Sequence, residues 1–175
     1  MKKIVIVCGL IGGLIVTAPM MLFTDACYTS GNYEGSMLVG YASMILAFSL
    51  VFVGIRNYRN KYNNGVISFG MAFKTGIFIV LIASTIYVIV WLINYYLFMP
   101  DFAEKYGAHI IDKLKTSGAS QLEIDKQTKE MASFAKMYKN PLVVILFTYV
   151  EILPVGLIVT LISSFILKRK QKAVA

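Results

Sequence analysis

The stretch LVVILFTYVEILPVGLIVTLISSFIL, residues 142–167, decides the fold of this chain. Its one charged residue is Glu151, and its apolar residues cover every side of a helix rather than one face. About 20 such residues cross the roughly 30 Å of bilayer hydrocarbon as an α-helix. Since the backbone must satisfy its own hydrogen bonds there, the stretch predicts a transmembrane helix.

Three further stretches have the same character. Residues 4–23 and 36–55 carry no charge, and Asn94 is the one strongly polar residue in 76–99. The chain is 58% hydrophobic and 15% charged, whereas soluble domains have about 45–50% and 25%. No stretch alternates with period two, as the strands of a membrane β-barrel do. The sequence therefore predicts one all-α integral membrane domain, residues 1–175, with four transmembrane helices.

The charges are segregated along the chain. The connection between the first two spans holds Asp25 and Glu34 without a basic residue. Basic residues without acids precede span one, separate spans two and three, and follow span four: Lys2, Lys3, Arg56, Arg59, Lys61, Lys74, Lys168, Arg169, Lys170 and Lys172. The positive-inside rule then predicts that both termini and the connection between spans two and three are cytoplasmic. The net charge of +8 follows this segregation, so the expected partner is the lipid bilayer and no nucleic acid.

Residues 100–141 form the long extracytoplasmic connection. They contain seven lysines and six acids. A stripe at four-residue spacing predicts one amphipathic helix: Phe102, Tyr106, Ile110 and Leu114. Ser120 followed by Glu123 is a capping box that opens a second helix. We therefore expect a helical hairpin between the third and fourth spans.

Small residues and cysteines add two expectations. Gly9 and Gly13 form a G-x-x-x-G pair, which lets another helix approach closely, either within the chain or in a homo-oligomer. Cys8 and Cys27 would stand about 28 Å apart along the first helix, too far for a disulfide. Two free thiols are expected.

Glu151 is the candidate functional residue. It lies about nine residues, or about 14 Å, from the start of its span, where a charged acid costs at least about 2.5–3.5 kcal/mol. Pro154 cannot donate to the carbonyl of Val150 and leaves that oxygen without its helical partner. Ser84 and Thr85 should sit at a similar depth and face the carboxyl group. Two roles remain open: a hydrogen bond between helices, or a site for protons, a cation or a partner subunit.

Catalytic, metal and cofactor sites are not predicted. His109 is the one histidine, and no nucleophile, base and oxyanion donor converge. The leading hypothesis is a non-enzymatic structural or regulatory membrane component that acts through helix and loop contacts, with a membrane protein partner or a second copy. The alternative is a transporter of a small solute, an ion or protons in which Glu151 titrates.

Several short segments also resemble a known family. They are Ile67-Ser68-Phe69-Gly70, Phe73-Lys74 with Gly76, Pro100-Asp101-Phe102, Tyr138-Lys139-Asn140-Pro141, Glu151, Pro154-Val155-Gly156-Leu157, Ile162 to Phe165 and Lys168-Arg169-Lys170. In these the chain resembles domain-of-unknown-function family 4199, small bacterial membrane proteins with four helices. The resemblance implies a four-helix membrane protein without an assigned activity, and it supplies no catalytic residues.

Overall fold

The computed structural model describes residues 1–31, 33 and 37–169. Its helices are α1 (Lys2–Ser30), α2 (Met37–Tyr62), α3 (Phe69–Ile93), α4 (Phe102–Thr116), α5 (Gln121–Tyr138) and α6 (Pro141–Leu167). A π-helical turn, Asn94–Phe98, extends α3. Helices α1, α2, α6 and the extended α3 are long and apolar enough to cross a membrane. The all-α membrane fold, with four spanning helices and a helical hairpin, is confirmed.

The four spanning helices form a bundle. Helix α3 packs along both α1 and α6, and α2 contacts the same two helices from another side. Helices α1 and α6 therefore occupy diagonal corners. Helices α2 and α3 contribute most of the core residues, and Val51, Ile55 and Val80 among them are fully buried.

The helices are longer than the apolar stretches of the sequence. Helix α1 continues from Phe23 to Ser30, α2 continues from Ile55 to Tyr62, and α3 begins at Phe69 rather than at residue 76. The apolar stretch marks only the part of a helix that lies in hydrocarbon, and the helical hydrogen bonds continue beyond it. The 29 residues of α1 correspond to about 43 Å, well over the roughly 30 Å of hydrocarbon.

One end of the bundle collects the basic segments, and we call it the basic end. The Arg59 guanidinium donates to the carbonyl of Leu167, at 3.2 Å. Ile67 and Arg169 form an isolated antiparallel bridge, with N–H to O=C distances of 3.0 and 2.8 Å. The C-termini of α2 and α6 and the start of α3 therefore meet. Lys170 and Lys172 lie outside the described residues, as does Glu34.

Helices α4 and α5 form the hairpin at the opposite end, which we call the hairpin end. The capping box is present: the Ser120 hydroxyl accepts from the Glu123 N–H, and the Ser120 N–H donates to the Glu123 carboxylate at 3.0 Å. The stripe expected on α4 is only half-buried, whereas Ala103 and Gly107 are buried. Small residues lie where α4 and α5 approach most closely. A Cβ added at Gly107 would stand only 3.2 Å from the Cβ of Met131.

The pair Gly9 and Gly13 faces α3. A Cβ added at Gly9 would stand 2.7 Å from the Cβ of Ile82, and one at Gly13 would stand 2.9 Å from the Cβ of Ile86. Neither side chain can move away without displacing the backbone of α3. The close approach that this spacing allows is therefore made within the chain.

Candidate functional site

Glu151 lies midway along α6 and lines two adjoining cavities. Both are in the half of the bundle toward the hairpin end, which we call the hairpin half. The larger has a volume of ≈ 300 Å³. It extends from α6 across the bundle to α1 and α2. Its wall consists of Val16, Pro19, Met20, Phe23, Thr24, Tyr33, Val39, Gly40, Ser43, Met44, Tyr87, Tyr106 and Glu151. The diagonal placement of α1 and α6 leaves this space, since those two helices do not pack along each other.

The smaller cavity, of ≈ 160 Å³, lies between α1, α3, α6 and the end of α5. Its lining residues are Met20, Thr24, Tyr87, Trp91, Tyr138, Thr148 and Glu151. Met20, Thr24, Tyr87 and Glu151 are common to both cavities. The Glu151 carboxylate thus stands where the two spaces join.

The carboxylate has no hydrogen bond or ion pair with any residue in 1–31, 33 or 37–169. Its side chain is exposed to the cavities rather than enclosed by the core. No Lys, Arg or His among those residues lines either space. An acid about ten residues from the start of α6, or about 15 Å deep, is therefore left without a counter-charge.

The expectation that Ser84 and Thr85 face Glu151 needs correction. Neither lines a cavity. The Thr85 hydroxyl lies 2.8 Å from the Tyr149 hydroxyl and donates to the carbonyl of Leu81, and Ser84 is fully buried. The depth of these two residues along α3 could be predicted from the sequence. The face of α3 on which they lie could not, because the span is apolar on every side.

Tyr87, from α3, shares both cavities with Glu151, as Met20 and Thr24 of α1 do, and sequence reasoning missed it. The signal in the sequence that could have identified it is its phenol, a polar group within an apolar span. Pro154 lies within α6, and it is exposed on the same face as Val150. The Pro154 ring is not part of either cavity wall.

Aromatic rings from the hairpin cover the larger cavity. The ring of Tyr33 packs against those of Phe102, Tyr106 and His109, with centroid distances of 5.6, 6.0 and 5.6 Å. Burial raises the pKa of the Tyr33 phenol. Tyr33 and Tyr106 both line the space below. The hairpin is therefore part of the site.

A polar cluster attaches α4 to the C-terminal end of α1. The Tyr28 hydroxyl donates to Asp101 at 2.5 Å, Lys105 pairs with the same carboxylate at 3.0 Å, and the Lys105 ammonium stands 4.0 Å from the Tyr28 ring centroid. The hydrogen bond from Tyr28, with that from Lys105, lowers the pKa of Asp101. These contacts hold the hairpin over the cavity.

The other end of the hairpin is fixed to α3. The Tyr96 hydroxyl donates to the carbonyl of Tyr138 at 3.0 Å, and the rings of Tyr95 and Tyr138 pack edge to face at 5.6 Å. Burial raises the pKa of the Tyr138 phenol to about 12, and the negative charge of Glu151 adds to the increase. Tyr138 therefore lies close enough to Glu151 for that charge to affect the pKa of its phenol.

Metal and thiol chemistry do not add to the site. Across the described part of the chain, no three His, Cys, Asp or Glu side chains are grouped so that they could hold a metal ion. Cys8 and Cys27 are free thiols, and both are buried. Cys27 lies within α1, because this helix continues beyond the apolar stretch that ends at Phe23.

A family model with the description "Protein of unknown function (DUF4199)" matches residues 6–169. The searches of curated proteins and of solved structures gave no match. The match covers the bundle, the hairpin and both cavities. The chain therefore belongs to the DUF4199 family of proteins of unknown function.

Proposed function

We propose that the protein is a non-enzymatic structural or regulatory component of a bacterial cytoplasmic membrane, which acts through contacts of its helices and hairpin. The observation that carries the proposal is the attachment of the hairpin. A folded, highly charged module is fixed to the bundle at both of its ends, through Asp101 to Tyr28 and through Tyr138 to Tyr96. Such a module can present a defined surface beside the bilayer to a membrane protein partner or to a second copy.

The orientation is part of the proposal. Lys2, Arg59 and Arg169 stand at the basic end, and basic segments favour the cytoplasmic side. The hairpin would then face the outside. Both native thiols are buried, so an engineered cysteine gives the cleaner probe. We expect Leu122→Cys, at a site 80% exposed on the hairpin, to react with an impermeant maleimide in intact spheroplasts. Asn60→Cys at the basic end should react only after permeabilisation, and the reverse pattern would overturn the orientation.

Site-directed photocrosslinking tests the contact function. Probes belong at Ala108 and Ala132, two exposed positions beside the open groove between α4 and α5. A probe at Leu14, 66% exposed on the apolar α1, is the lipid-facing control. We expect a discrete protein adduct from the hairpin positions in cells that express the full chain, whose mass separates a second copy from another protein. Lipid adducts alone at all three positions would contradict a contact function.

The transporter alternative receives less support from the geometry. Both Glu151 cavities lie in the hairpin half. In the half of the bundle toward the basic end, which we call the basic half, helices pack closely at Gly54, Gly76 and Gly156. A Cβ at Gly76 would stand 2.7 Å from Thr160 and 2.9 Å from Val51. Such close helix contacts lie between the carboxylate and the basic end, so we do not favour transport.

A further inference from the structure

We propose that the larger Glu151 cavity binds a compact lipophilic organic cation, an aromatic or branched hydrocarbon that carries one ammonium group. This inference concerns a ligand of the bundle and does not depend on the proposed contacts of the hairpin. It rests on the shape of the cavity, on the chemistry of its wall and on the carboxylate without a partner.

The wall selects an apolar ligand with one positive charge. Apart from Glu151, the space is lined by aliphatic, methionine and aromatic side chains, three of them tyrosines, together with the aliphatic hydroxyls of Thr24 and Ser43. Ligand pockets typically combine such an apolar wall with a few placed polar groups. The rings of Tyr33, Tyr87 and Tyr106 can present π-faces to a cation, and Glu151 provides the counter-charge.

Size and access agree with a small ligand. A cavity of about 150 Å³ holds benzene, so ≈ 300 Å³ accommodates a phenyl ring with a compact ammonium group. Phe23 and Val39, on the wall, are 40% and 52% exposed, so neighbouring helices do not cover this part of the wall. A phospholipid headgroup is a poor fit, because its phosphate would have to enter the same apolar space without a basic partner.

A bound cation would stabilise the ionised form of an acid at this depth. An isolated carboxylate in an apolar medium is strongly disfavoured, and pairing with a cation offsets part of that penalty. No other described side chain supplies the positive charge. A ligand that brings it would complete the site.

The test compares benzyltrimethylammonium with neopentylbenzene, its uncharged isostere, in calorimetric titrations of the full chain in mild detergent. Trp91, the one tryptophan of the sequence, lines the adjoining cavity and gives a second readout through its emission. We expect the cation to bind at least about tenfold more tightly than the isostere, because only the cation can pair with Glu151. Glu151→Gln should remove that preference and leave the weak binding of the isostere unchanged.

A second pair of variants tests the location. Gly40 lies on the wall, and a Cβ there meets nothing within 4 Å, so Gly40→Phe should fold and fill the space. It should abolish binding of both compounds. Gly70→Phe, at an equally open glycine outside both cavities, should bind as the wild type does. Equal affinities for cation and isostere, no binding of either, or unchanged binding in Gly40→Phe would each overturn the proposal.

Discussion

The two halves of the bundle are packed differently. In the basic half, glycines bring the helices together: a Cβ at Gly156 would overlap Val80, and one at Gly54 would overlap Ile79. In the hairpin half, Leu38 and Val39 of α2 are 80% and 52% exposed, although Val51 and Ile55 of the same helix are completely buried. One helix is thus a core element at one end and an outer wall at the other.

The difference shows what holds helices together in a bilayer. Lipid chains are as apolar as leucine, so helix association depends on close packing and on hydrogen bonds. Where small residues permit close packing, the helices meet along their length. In the hairpin half, α2 stays apart from its neighbours although it carries Gly40, at which an added Cβ would meet nothing within 4 Å. The space there contains a carboxylate that a dense core would exclude. The closest glycine contacts between α2, α3 and α6 therefore lie in the basic half, and the Glu151 cavities lie in the hairpin half.

The largest effect should come from filling a glycine contact in the basic half. Gly156→Ala forces a Cβ against Val80, a short branched side chain, and close to Phe48. We expect a loss of about 1–3 kcal/mol in the free energy of unfolding, as overpacking usually gives. Thermal unfolding in detergent measures it.

Gly40→Ala is the matched control from the hairpin half. Its added Cβ meets nothing within 4 Å, and alanine favours the helix. Its melting temperature should equal or exceed that of the wild type. Similar losses for both variants would show that the two halves do not differ in packing.

A smaller effect should come from the hydrogen bond between the Thr85 and Tyr149 hydroxyls, which links α3 to α6. Thr85→Val, Tyr149→Phe and the double variant form a double-mutant cycle. We expect a coupling energy of about 0.6 kcal/mol, a common value for such bonds in membranes. Additive losses in the cycle would mean that the two hydroxyls do not interact.

The smallest effect concerns the attachment of the hairpin. Tyr28→Phe removes the donor that lowers the pKa of Asp101, so that pKa should rise toward its usual value of 3.8. Because the folded value lies below the unfolded one, the contribution of Asp101 to stability is present above pH ~4 and is lost as the pH falls through the folded pKa.

A carbon-13 NMR titration of the Asp101 carboxyl group measures this shift. Tyr62→Phe, at an exposed site of the basic end, serves as the control and should leave the titration unchanged. An unchanged Asp101 pKa in Tyr28→Phe would show that the Tyr28 hydroxyl does not donate to this carboxylate.

The sequence was sufficient for the architecture and insufficient for the site. Uninterrupted apolar stretches predict spans directly, and the capping box at Ser120 marked the start of α5. The depth of Glu151 followed from counting along its span. The neighbours of Glu151 could not be predicted, because helices that are apolar on every side carry no periodic signal for the face that turns inward. The diagonal placement of α1 and α6, which creates the cavity, depends on packing between helices far apart in sequence.

The stability of Glu151 variants tests the central claim, that this carboxylate belongs to an open site and does not link helices. Thermal unfolding of the wild type, Glu151→Gln and Glu151→Leu is the measurement. Since the carboxylate has no hydrogen-bond partner among the described residues, neither variant should be less stable than the wild type, and Leu should be the most stable because it removes a polar group from the membrane. If Leu instead lost about 0.6–2 kcal/mol while Gln matched the wild type, Glu151 would be a donor between helices and the account would be wrong.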